Sequence, residues 1–78
     1  MHKPFLIRVD WDEDSAVWTA DSDDIPGLAT EAGTLEGLSL KLESMIPELV
    51  ALNSVESSDP ISYELLIRRF ASVRRQAA

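Results

Sequence analysis

The sequence predicts an α+β fold with elements in the order β-β-β-α-β. The sheet is expected to be a curled antiparallel three-stranded sheet plus a fourth strand, with one helix packed on one face. Three observations carry this: two neighbouring stretches with period-2 alternation, an apolar stripe at helical spacing, and a further alternating stretch beyond it. With 78 residues, 45% of them apolar, the chain has material for one core and no second domain.

Residues 5–11 and 16–22 are rich in Val, Ile, Trp and Phe and flank the turn-like Asp12-Glu13-Asp14-Ser15, which predicts a hairpin. Placing Trp11 opposite Ala16, Val9 opposite Trp18 and Ile7 opposite Ala20 collects Phe5, Ile7, Val9, Trp11, Ala16, Trp18 and Ala20 on one face. Leu6, Arg8, Asp10, Val17, Thr19 and Asp21 then share the other. One buried and one wetted face is the pattern of an antiparallel sheet. Ile25-Pro26-Gly27 suits a type II turn, with Pro setting φ at the second position and Gly supplying positive φ at the third. A short strand, Leu28 to Ala32, follows.

Thr34 is placed to cap a helix over roughly 35–52, because Leu35, Leu38, Leu42, Met45, Ile46 and Leu49 recur at spacings of three and four. Gly37 stands where Glu would complete a capping box, and Pro47 removes one N–H, so a bend is expected near Met45. Asn53 to Pro60 reads as the linker of the second half. Beyond it two readings stay open. Ile61, Tyr63, Leu65 and Ile67 alternate as in a strand, whereas Tyr63, Leu66, Ile67 and Phe70 would line a helix capped by Asp59. The strand is favoured, beside the first strand, because it buries more of Leu65 and Ile67. The single domain thus has a core at about 5–68 and a basic tail at 69–78.

The net charge of -7 is unevenly spread: all 14 acidic residues lie in 1–67 with Lys3, Arg8 and Lys41, a balance of -11, while Arg68, Arg69, Arg74 and Arg75 give residues 68–78 a charge of +4. An acidic body repels phosphates and attracts cations, so a basic protein partner is expected rather than direct nucleic-acid binding. The absence of Cys, of a signal-like start and of a long apolar run points to a cytoplasmic protein with no membrane span. A core this small also makes a homo-oligomer an expected state.

The densest polar cluster is Asp10, Asp12, Glu13, Asp14, Asp21, Asp23 and Asp24. Asp10, Asp12 and Asp14 match the first ligand spacings of a calcium loop, but Ser15 replaces the turn glycine and Asp21 the closing Glu. Paired-carboxylate hydrolysis needs a dry pocket that a hairpin tip does not offer. A solvated hairpin tip and an electrostatic docking patch remain. Trp11 and Trp18 lack the basic surroundings of a base-stacking platform and are read as core. No Cys is present, the single His2 is terminal, and no glycine-rich phosphate loop occurs, so no catalytic residue, metal or cofactor is assigned and the chain is read as a non-enzyme.

Val17-Trp18-Thr19-Ala20-Asp21-Ser22, Ile25-Pro26-Gly27-Leu28 and Glu31-Ala32-Gly33-Thr34-Leu35, followed by an amphipathic helix with Ile46-Pro47-Glu48-Leu49 and Asn53, resemble the HicB-like antitoxins, in a short branch of unknown function. The resemblance spans about residues 5–68. It implies a partial ribonuclease-H-like fold without that fold's catalytic carboxylates. It also implies a role in neutralising a small basic toxin of the HicA kind, which cuts messenger RNA with one histidine. Family members often add a C-terminal helix-turn-helix or ribbon that binds the operator; the roughly eleven residues after Ile67 are too few for a helix-turn-helix. The leading functional expectation is therefore an antitoxin acting by occlusion through the acidic hairpin and the outer sheet face. The alternative is a homo-oligomeric structural or regulatory module with no toxin, assembled through the edges of strand three or four.

Overall fold

A computed structural model describes residues 3–76. It contains β1 (Phe5–Asp12), β2 (Val17–Asp21), β3 (Ala29–Ala32), α1 (Leu35–Leu52) and β4 (Tyr63–Arg68). The four strands form one open mixed sheet in the order β3-β2-β1-β4. β1 pairs antiparallel with β2 and parallel with β4, and β2 pairs antiparallel with β3. The α+β class and the element order thus hold, and the stretch after Pro60 is a strand.

The hairpin keeps the expected faces but not the expected register. Trp11 lies opposite Trp18 and Val9 opposite Ala20, a slip of two residues, which preserves which side each chain faces. The cause lies in the turn. Asp12 is the last residue of β1, and its Oδ1 accepts from the backbone N–H groups of Asp14 and Ser15 at 3.1 and 3.3 Å. Ala16 closes the four-residue loop 13–16 in the left-handed region, φ 55°, so it belongs to the turn and cannot pair with Trp11. The slip brings the two indoles together, with ring centroids 5.0 Å apart and planes tilted by 59°, a favourable aromatic geometry.

The core is Ile7 and Val9 of β1, Ala20 of β2, Ile25 and Leu28 of the following loop, and Leu38, Leu42, Ile46 and Val50 of α1, all buried. Each large aliphatic side chain among them contributes about 1.5–3 kcal/mol of transfer free energy on burial. The four helical residues recur every four positions, so one stripe of α1 meets the inner face of the sheet. Thr34 caps the helix as expected, its Oγ1 accepting from Gly37 N–H at 3.0 Å. A Cβ at Gly37 would stand 3.1 Å from that same oxygen, a contact the cap could relieve only by shifting a few tenths of an ångström. α1 runs as a single element through Pro47, because Pro47 and the Glu43 whose carbonyl it leaves unpaired both lie on the wetted side, where water substitutes.

Ile25-Pro26-Gly27-Leu28 is the expected type II turn, with Gly27 at φ 83° and Leu28 N–H donating to the Ile25 carbonyl at 3.2 Å. It does more than reverse the chain, since both of its ends are buried. β3 accordingly starts at Ala29, one residue later than expected, with Leu28 turned into the core.

Candidate functional site

The outer face of the sheet, opposite α1, is formed by Leu6, Arg8, Asp10 and Asp12 of β1, Val17, Thr19 and Asp21 of β2, Ala29 and Glu31 of β3, and Glu64, Leu66 and Arg68 of β4. No element covers it among the described residues. Leu6 and Leu66 remain 40% and 49% exposed. Between them and β3 runs a shallow acidic depression of about 470 Å³, lined by Asp12, Thr19, Asp21, Ala29 and Glu31 among others.

The seven carboxylates expected to act together divide into groups with different local roles. Asp21 and Asp23 clamp Arg8: Asp21 Oδ1 accepts from Nε at 2.8 Å, and the two oxygens of Asp23 accept from Nη1 and Nη2 at 2.7 and 3.0 Å. The Arg8 guanidinium, through these hydrogen bonds first and its charge second, holds the Asp23 carboxyl below its ordinary value. Asp23 and Asp21 in turn push Arg8 further up.

Asp24 Oδ2 accepts from Leu6 N–H at 2.7 Å while Ser22 Oγ donates to the Leu6 carbonyl at 2.6 Å. Two side chains thereby continue the ladder of β1 beyond the end of β2. Asp12 anchors the hairpin turn, and Glu13 accepts from Trp11 Nε1 at 2.7 Å. Asp10 and Asp14 make no side-chain hydrogen bond among the described residues. Asp10 stands on the outer face between Thr19 and Arg68, whereas Asp14 sits at the exposed turn.

The site that geometry brings together is therefore the outer face, with Asp10, Asp12 and Asp21 joined by Glu31 and Glu64. Sequence reasoning missed the last two. Their period-2 placement in β3 and β4 was the available signal. Trp18 packs on the core as expected, while Trp11 lies at its rim, half-buried, with the Arg69 guanidinium 5.4 Å from its ring centroid. No helix among the described residues is long and apolar enough to cross a membrane.

Comparison with known proteins adds a family but no activity. No curated protein matches the sequence. Among solved structures, the hypothetical protein TTHA1013 from the extremely thermophilic bacterium Thermus thermophilus is similar, at 40% identity and a TM-score of 0.72 over 94% of this chain and 100% of that one. The model of a domain of unknown function, DUF1902, matches residues 4–77, nearly the whole chain, so the chain belongs to the DUF1902 family.

Proposed function

We propose that this chain is a non-catalytic binding module, a HicB-like antitoxin whose acidic outer sheet face covers a small basic RNA-cleaving toxin. The observation that carries the reading is the uncovered face itself: apolar Leu6 and Leu66 on a face whose carboxylates, Asp10, Asp12, Asp21, Glu31 and Glu64, outnumber its guanidinium groups, Arg8 and Arg68. Two apolar side chains on a face of net negative charge suit a cationic protein surface, because the leucines supply desolvation while the excess carboxylates steer encounter and set orientation. The paired strands present these groups on an already ordered backbone, so the ordering cost on binding falls on the side chains alone. The β-β-β-α-β order is also the one the HicB-like resemblance implies. Every carboxylate among the described residues lies outside the buried core, where water screens it, which favours docking over acid–base chemistry.

The test is expression of any short reading frame adjacent to that of this chain, alone and with this chain, scored by growth and by messenger RNA cleavage. Toxicity relieved by the wild-type chain and not by an Asp10→Lys, Glu31→Lys double variant of unchanged fold is the expected result. Rescue that survives the double charge reversal would remove the outer face from the reading. A reading frame that harms nothing when expressed alone would remove the antitoxin.

A further inference from the structure

The two edges of the sheet are treated differently. β3 has four residues, and Lys41 Nζ of α1 donates to the Glu31 carbonyl at 2.6 Å, so a side chain occupies one acceptor of this strand. β4 has six residues, and among the described residues no side chain hydrogen-bonds to its backbone. An unprotected edge of this length is a template for another strand.

Among the described residues, the chain beyond β4 is held to the body at its base and is otherwise exposed. Residues 66–76 are exposed throughout, and four of the seven large apolar side chains left exposed fall within it: Leu66 at 49%, Ile67 at 45%, Phe70 at 91% and Val73 at 94%. Arg69, stacked on Trp11, fixes the base of this segment. The radius of gyration is 15.4 Å and the long axis 58 Å, against roughly 11 Å expected for the radius of a compact domain of this size. The segment therefore points away from the body. It carries Arg74 and Arg75, opposite in sign to the acidic body.

We propose that a second copy of this chain occupies this edge. The two β4 strands and the segments after them pair antiparallel about a two-fold axis, each Glu64 opposite Arg74 of the second copy. Symmetry narrows the choice of register. A two-fold axis perpendicular to the sheet keeps inner residues against inner and outer against outer, so paired residue numbers must share parity. The proposed register sets Glu64 against Arg74, Leu65 against Val73, Tyr63 against Arg75 and Arg68 against Phe70. It matches an ion pair, an apolar pair and two cation–aromatic pairs on each side of the axis.

The one like-charge meeting is Arg69 with its own symmetry mate, and each of those guanidinium groups already lies over its own Trp11. A shift of two residues one way puts Arg74 against Leu66. The opposite shift puts Arg74 against Ser62 and sets Arg68 against Arg68, which has no aromatic ring beneath it among the described residues. This assembly requires no toxin and leaves the depression on the outer face open.

The experiment is sedimentation equilibrium of the full chain, with Glu64→Arg, Arg74→Glu, the double charge swap, and a chain ending at Arg69. The wild-type mass is expected at twice the 8.6 kDa of one chain. Each single reversal is expected to weaken association by roughly tenfold or more, since both symmetric pairs become repulsive. The double swap restores it, and the shortened chain is monomeric with an unchanged circular dichroism spectrum. A wild-type chain that stays monomeric across the accessible concentration range overturns the proposal, as does a shortened chain that still dimerises. Failure of the double swap to recover association overturns the register.

Discussion

At the residue scale, two positions have roles that their residue types make checkable. Gly27 holds φ 83°, while a Cβ there would meet Leu49 Cδ2 at an ordinary 3.6 Å. Space is available and only the backbone objects. Gly27→Ala is therefore expected to cost about 1–2 kcal/mol from the left-handed backbone alone, read as a lowered urea midpoint at an unchanged slope. An unaltered midpoint would mean that the turn relaxes out of positive φ.

Arg8 and Asp23 form the other case. A carboxyl whose value is lowered in the folded state adds stability above the ordinary Asp value near 4, and loses it as pH falls through the folded-state value. Wild type and Asp23→Asn should therefore differ in urea midpoint at neutral pH and converge in strong acid. The gap should be small and shrink in salt, because both groups are exposed. A gap that persists in acid strong enough to protonate Asp23 in the folded state would assign it a role other than charge.

At the element scale, the cap of α1 is isolated enough to measure. Thr34→Ala removes the acceptor for Gly37 N–H and is expected to cost about 1 kcal/mol, whereas Thr34→Ser should retain most of the stability. Equal losses in both would point to the methyl group instead of the hydroxyl.

Such local signals are what the sequence made legible. The hairpin, the type II turn, the cap and the helical stripe each depend on residues within a few positions of one another. What stayed hidden depends on distant partners. The pairing of Trp11 with Trp18 follows from Ala16 accepting a left-handed conformation, for which alanine gives no signal. Ile25 and Leu28 read as turn residues because nothing local says that α1 closes over them. The division of the acidic cluster was equally invisible: Arg8 is thirteen and fifteen positions from the aspartates it clamps, and only the paired β1 and β2 bring them together. Glu31 and Glu64 differ: their period-2 placement in β3 and β4 was legible, and only the pairing that sets them beside β1 and β2 was not.

At the scale of the whole molecule, two electrostatic effects of opposite sign should separate in one titration. The body carries a balance of -11, and its two described salt bridges both involve Arg8. Diffuse repulsion among many carboxylates therefore opposes folding, and one guanidinium offsets little of it. Raising NaCl from about 20 to about 300 mM shortens the screening length from roughly 20 to 6 Å. The urea midpoint of the chain ending at Arg69 is expected to rise over that range. Association of the full chain should move the other way if the exposed Glu64–Arg74 pairs hold the copies together, since salt screens those close pairs directly. Parallel measurements on the two chains keep folding and association distinct. A midpoint that falls with salt would place the Arg8 clamp above the diffuse repulsion. Association that strengthens with salt would mean that the apolar contacts of Leu65 and Val73, and not the charge pairs, hold the copies together.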